Sequence, residues 1–343
     1  MDQNTQISTL ITGPWFEDLK HGLEFDAPAV TLTTGHASLH QSLSADRLRL
    51  PLDHHASTII CSHKTGLIHP LLAINIAIGQ STWATQRVKA NLLYRGLVLY
   101  RPIFLGDTLY TRTCVVGMRK NRLRPGRAAT GIVALEITTT NQNNDVVLNF
   151  WRFPMIPCRN MQSDISHDDN LDTIGTTVST SDLKSAVPKN WALKNASKWL
   201  GLRAKNLGIG QRFTIDARDT ITSAPELVRA SLNMAMTHTD EKLSYLDKRL
   251  VFGGHTISIC FAQITRALPN LLTIIAWEQC DHTAPVFEND RIRSAFSIGE
   301  ICSLNAVEGG GSLIKIHALC YAARGSPEIE EKVLDWTFWA WGL

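Results

Sequence analysis

Four pairs of segments recur along this chain in the same order and at nearly constant separation. His21-Gly22-Leu23-Glu24-Phe25 is echoed by Ile209-Gly210-Gln211-Arg212-Phe213, and Thr31-Leu32-Thr33 by Thr220-Ile221-Thr222. Further on, Arg101-Pro102-Ile103-Phe104-Leu105-Gly106-Asp107 is echoed by Ala284-Pro285-Val286-Phe287-Glu288-Asn289-Asp290, and Val147-Leu148-Asn149-Phe150 by Val333-Leu334-Asp335-Trp336. The separations are 188, 189, 183 and 186 residues. Chance matches would not keep chain order at a steady offset, so the chain reads as two diverged copies of one unit. With 343 residues, 44% of them hydrophobic, each copy is long enough to bury its own core. The expected boundaries are 14–157 and 191–343. The stretch between, 158–190, is rich in Ser, Thr, Asp and Asn with little apolar periodicity, and reads as a flexible polar linker.

Within each copy the pattern predicts a short extended segment, a first helix, a buried helix and four strands. The first helix spans Thr33 to Leu43 with Thr33 or Thr34 as N-cap in copy one. In copy two it runs from Glu226 to Met236, with Ser223 as N-cap and Pro225 at the first helical position. The buried helices, apolar on nearly every side, are expected over 70–85 and 256–268. The strand-like runs are Ala90–Leu99, Thr108–Met118, Ala129–Thr140 and Val146–Phe153, then Leu272–Glu278, Arg291–Glu300, Leu313–Ala323 and Lys332–Ala340. A buried helix followed by an antiparallel meander is an α+β unit in which the sheet wraps the helix.

Composition narrows the function. Charged residues are 19% and the net charge is +3, too weak a balance to argue for nucleic acid or an anionic membrane surface. No run approaches the ~20 apolar residues of a membrane helix, and the first residues lack a basic stretch followed by an apolar one. The seven cysteines are odd in number and form no CxxC, which argues against a disulfide framework or a metal site and for a reducing, cytoplasmic setting. No GxSxG occurs, and no cysteine has an activating context, so a Ser or Cys nucleophile is not expected.

Particular segments then carry a family resemblance. In copy one these are VTLTTGHASLH (30–40), SADRLRLPLD (44–53) and HPLLAINIAIGQST (69–82), together with the run from Val88 to Gly117. In copy two they are TITSAPELVRASLNMAMTHTD (220–240), RLVFGGHTISICFAQ (249–263) and HTAPVFENDRIR (282–293). The chain resembles the MaoC-like acyl-CoA hydratase/dehydratase family in its double-hotdog form, within it the group of mesaconyl-CoA hydratase, also called β-methylmalyl-CoA dehydratase. The resemblance spans nearly everything but the linker. The family motif has the form Asp-x-Asn-Pro-x-His-x-Asp, followed by His-Gly at the start of the buried helix. Copy two carries Asn233 at the Asp position, His238 at the His, Asp240 at the last Asp, and Gly253-Gly254-His255 at the helix entry. Copy one keeps Asp46 but has Pro51 where the histidine is expected, followed by His69-Pro70.

The resemblance implies an (R)-type enoyl-CoA hydratase or 3-hydroxyacyl-CoA dehydratase whose working site lies in copy two. Hydration of an enoyl thioester needs a polarised carbonyl, a held water and a base. His238 has the right ordinary pKa, ~6.5, to be the base; Asn233 is not basic but can orient the water. Gly254, Gly253 and His255 are expected at the thioester carbonyl. Arg87, Arg95 and Arg101 are candidates for CoA phosphates or a substrate carboxylate. Asp46 reads as the relic of a second site. No cofactor beyond the CoA thioester and no metal are expected, and the assembly is expected to be a monomeric pseudo-dimer or a homodimer. Two other readings stay open: a non-catalytic acyl-CoA or acyl-carrier binding protein, because neither copy has a complete Asp/His pair, and a hotdog thioesterase using Asp46 or Asp240 to activate water.

Overall fold

The computed structural model describes residues 11–160 and 167–343. Part of the leading stretch that lacks a signal pattern, and residues 161–166 of the polar segment, lie outside them. Copy one contributes strands β1 (Glu24–Asp26) and β2 (Val30–Thr31), helices α1 (Thr34–Ser44), α2 (Arg49–Leu52), α3 (His54–Ile60) and α4 (Pro70–Gln80), and strands β3 (Ala90–Leu99), β4 (Thr108–Lys120), β5 (Thr130–Thr140) and β6 (Val146–Pro157). After α5 (Thr180–Ala186), copy two repeats the plan. It has β7 (Arg212–Thr214), β8 (Asp219–Thr220), α6 (Ala224–Ala230), α7 (Met236–Thr239), α8 (Gly253–Ala267), β9 (Leu271–His282), β10 (Arg291–Ser303), β11 (Ser312–Arg324) and β12 (Ile329–Gly342).

The strands form one twelve-stranded sheet in the order β1-β4-β5-β6-β3-β9-β12-β11-β10-β7, with β2 on β4 and β8 on β10. The order reads the same from either end once copy-two strands are matched to their copy-one counterparts. The copies join where equivalent strands pair antiparallel: Tyr94 of β3 faces Cys280 of β9, and Leu97 faces Trp277. Every residue of α4 is buried, as is α8 from Gly254 to Thr265. Both helices share one core that includes Ile76, Phe261, Trp277, Trp336 and Phe338. Helices apolar all round need protein on all sides, and the wrapped double sheet supplies it.

The described part of 158–190 departs from the flexible linker expected from its composition. Leu171, Leu183, Ala186 and Val187 are buried, and α5 packs against β3 and β9. This segment covers the outer face of the sheet at the junction of the copies, where Val98, Leu272 and Ala276 would otherwise meet water. Its few apolar residues are too widely spaced for a periodic signal, so the polar background hid them.

Two differences in the helices shape the site. The helix expected over Glu226–Met236 stops at Ala230, because Leu232 takes φ +55° and the Asn233 N–H donates to the Val228 carbonyl. The chain restarts as α7. Likewise the α-helix expected over 70–85 ends at Gln80 and tightens into a 3-10 turn over Ser81–Thr85. There the Ser81 and Thr82 hydroxyls donate to the Ile78 and Gly79 carbonyls, competing with the α-helical ladder.

Candidate active site

A cavity of about 240 Å³ opens where copy two's α7 and the start of α8 face β3 and β6 of copy one. Asn233, His238, Gly253, His282, Thr82, Tyr94 and Arg152 are among the residues that line it. The break after α6 positions the first two. The Asn233 side-chain carbonyl accepts the Ala235 N–H at 2.9 Å, which fixes the amide and leaves its NH2 for the cavity. Thr82 accepts the Met234 N–H at 2.9 Å and so ties this loop to copy one.

His238 Nδ1 lies 3.0 Å from the Leu250 carbonyl. A carbonyl only accepts, so Nδ1 carries the proton and Nε2 keeps its lone pair. Burial pushes the His238 pKa down to about 4, against a smaller upward pull from the Leu250 bond. The imidazole is therefore neutral near pH 7, the form a base requires.

Helix α8 begins at Gly253, earlier than its apolar pattern suggested, and no side chain caps it. Among the described residues, no acceptor takes the N–H groups of Gly253 or Gly254. Uncapped amides at the positive end of a 15-residue helix are suited to stabilising charge on a carbonyl oxygen. Both glycines are needed. A Cβ on Gly253 would collide with the His282 ring, and one on Gly254 with the Asn75 side-chain oxygen and the Phe252 ring. Gly254→Ala is accordingly expected to destabilise the fold by about 1–3 kcal/mol through overpacking and to lower kcat/KM more than tenfold. Melting temperature and turnover, measured together, check this.

Two lining residues escaped the sequence reading. His282 ends β9, and its Nε2 is buried without a partner. Burial, then the nearby His238, pushes its pKa down to about 4. Arg152 is 3% exposed. It donates to the Ser81 carbonyl at 3.2 Å and to the Thr85 hydroxyl, while its Nε has no partner. Among the described residues no carboxylate pairs with it. Burial pushes its pKa down to about 10, so it stays charged at neutral pH. Leu148, Phe150 and Arg152 alternate on the inward face of β6. A charge in phase with core positions was the available signal.

Other expected residues lie elsewhere. His255 is buried on the far side of α8, where the Leu43 backbone supports it, and it does not line the cavity. Arg87 donates to the Gly13 carbonyl and stacks on Trp15. Arg95 donates to the Leu171 carbonyl and lies over Phe153. Arg101 is exposed and pairs with Asp145 at 3.3 Å. None of the three reaches the cavity. Asp240 is exposed and caps the turn at Glu241–Leu243.

Asp46 occupies the mate of the Asn233 position, its Oδ1 accepting the Leu48 N–H at 2.6 Å just as Asn233 accepts that of Ala235. It lines a separate cavity of about 110 Å³ with His40, Pro51 and His69. There His69 Nε2 is 3.4 Å from Asp46 Oδ2. The start of α4 is closed: Pro70 has no N–H, and the Leu71 N–H donates to His69 Nδ1. Copy one thus lacks the free amides that copy two presents.

Comparison with known proteins bears on the fold and the family. No protein-family model matches the chain. It is 27% identical over 336 residues to a β-methylmalyl-CoA dehydratase of Chloroflexus aurantiacus, covering 92% of this chain and 89% of that protein. It is 25% identical over 290 residues to a mesaconyl-CoA hydratase of Cereibacter sphaeroides, covering 82% of each. A solved structure, a conserved hypothetical protein of Mycobacterium tuberculosis with a double hotdog fold, superposes with a TM-score of 0.87 at 40% identity, covering 96% of this chain and 99% of that one. At that identity over nearly the whole of both chains, this chain belongs to the double-hotdog family of the mycobacterial protein, and its two curated relatives are named a dehydratase and a hydratase.

Proposed function

We propose that the chain is an (R)-type enoyl-CoA hydratase/3-hydroxyacyl-CoA dehydratase, working at His238 on an acyl group that bears a second carboxylate. The observation that carries this reading is the convergence of a neutral imidazole, an amide NH2 and the uncapped start of α8, where Gly253 lines the same cavity and Gly254 follows it. The thioester carbonyl rests against the Gly253 and Gly254 N–H groups. Asn233 donates to the oxygen of a water at the β-carbon, and His238 Nε2 accepts its proton. As the water oxygen bonds to the β-carbon, the π electrons move to the α-carbon and on to the carbonyl oxygen. The helix amides stabilise the resulting enolate. His238 then returns the proton to the α-carbon, and the reverse sequence eliminates water.

Arg152 supports the choice of acyl group, since a buried guanidinium without a counter-ion suits a substrate carboxylate. The two curated relatives are named for thioesters of dicarboxylic acids. The seven free cysteines suit a cytoplasmic enzyme. The test is to follow enoyl absorbance with mesaconyl-CoA and with crotonyl-CoA. Fast, stereospecific hydration of the first and slow hydration of the second is expected. Release of free thiol instead, or unchanged absorbance with both, would overturn the proposal.

A further inference from the structure

Equivalent positions in the two copies carry an imidazole on different elements. Copy one has His69 at the entry of its buried helix, just before Pro70, and Leu99 at the end of β3. The same two places in copy two, offset by 184 and 183 residues, hold Gly253 and His282. In space the two imidazoles serve one spot. A Cβ on Gly253 would collide with Cε1 and Nε2 of the His282 ring, so that ring fills the room a side chain at the helix entry would take. What differs is the backbone. His69 turns Nδ1 onto its own helix and accepts the Leu71 N–H at 3.1 Å. His282 comes from another element, and no side chain caps α8. Its Nε2 is buried without a partner, and the residue lines the catalytic cavity. A buried polar atom left unmatched is costly in the free protein and is available to a ligand. Copy two thus keeps an imidazole beside helix amides that, among the described residues, have no acceptor.

We infer that His282 is a catalytic group of this site, donating from Nε2 to the thioester carbonyl oxygen as that oxygen becomes negative, beside the Gly253 and Gly254 N–H groups. The inference rests on the hydratase/dehydratase reading of the cavity. An oxyanion only accepts, so the bound thioester selects the His282 tautomer with its proton on Nε2. That proton stays on His282 throughout, while His238 carries the proton of the water to the α-carbon. Burial, then the neighbouring His238, keeps the His282 ring neutral at pH 7, and a neutral imidazole can polarise a carbonyl. Two imidazoles this close in a buried site resist carrying two added protons. When His238 takes the water's proton, His282 therefore remains a neutral donor.

The experiment compares wild type with His282→Leu, which installs the residue copy one has at this place and removes the donor, and His282→Gln, which keeps one. With mesaconyl-CoA, His282→Leu should lower kcat about 10²–10³-fold, the range for loss of one oxyanion donor, with KM changed only a few-fold. Calorimetry then uses two stable CoA analogues: a saturated acyl-CoA, and a nitroalkane in place of the thioester, whose nitronate puts negative charge on the oxygen where the carbonyl would lie. Wild type should hold the nitronate about 10²-fold tighter or more. His282→Leu should lose that preference while binding the saturated ester as wild type does, and His282→Gln should retain part of both kcat and preference. Unchanged kcat in both variants, equal loss of affinity for both analogues, or no nitronate preference in wild type would overturn the role. Binding also separates this inference from the hydratase reading. A nitronate preference that depends on His282 supports the donor even if no enoyl thioester is hydrated, and one that survives in both variants overturns it even if hydration is fast.

Discussion

Replacing His238 with alanine should lower kcat by about 10²–10⁴-fold, the range for loss of a positioned general base, while leaving the fold intact. His238 is the group in the cavity with a lone pair directed away from its own backbone partner, and Asn233 cannot substitute for it. Retention of near wild-type turnover would place the base elsewhere, with His282 the next group to examine. The pH profile gives a second readout. Because burial holds His238 near a pKa of about 4, kcat/KM should stay flat from neutral pH down and fall along an acid limb near pH 4, well below the ordinary histidine value of ~6.5.

The same burial couples pH to stability. His238 and His282 are depressed to about 4, and His40 is also held well below its ordinary value by burial. Above ~6.5 these rings are neutral in both the folded and the unfolded chain. As pH falls from there toward 4, the unfolded chain takes up protons that the folded chain refuses, so stability declines through that window. Melting temperatures recorded between pH 7.5 and 4.5 should drop on the acidic side. His282→Gln should flatten the drop, because it removes one such group.

The duplicated plan was legible because repetition survives substitution: Arg101–Asp107 and Ala284–Asp290 share few identities, yet each precedes the long strand it serves. The buried helices and strands followed from apolar patterning, with ends displaced by a few residues. What the sequence hid was orientation. His255 is adjacent to Gly254 in the chain but turns to the opposite side of α8, whereas His282 is reached only because β9 returns over Gly253. Arg87, Arg95 and Arg101 looked like ligands for an anion, but local partners take each of them. Arg152, embedded in an apolar strand, kept its charge unpaired. Charge counts along a sequence do not say which cations find partners; packing does.

Arg152→Gln should therefore separate substrates rather than simply weaken the enzyme. For mesaconyl-CoA, kcat/KM should fall about 10²-fold or more, since a site built around a buried ionic partner loses heavily when that partner goes unmatched. For crotonyl-CoA, with a methyl group where mesaconyl-CoA carries its free carboxylate, kcat/KM should change only a few-fold. Arg152→Lys keeps the charge but not the planar fork, so it should recover part of the mesaconyl-CoA activity while losing the bond to Thr85 or Ser81. Equal losses on both substrates would mean that the guanidinium acts only as a brace at the end of α4. Unequal losses would mean that the brace also reads the acyl group. That double duty would explain why β6 keeps a guanidinium at an inward position next to Phe150: the cost of burying it unpaired in the free enzyme is recovered when the substrate supplies the missing charge.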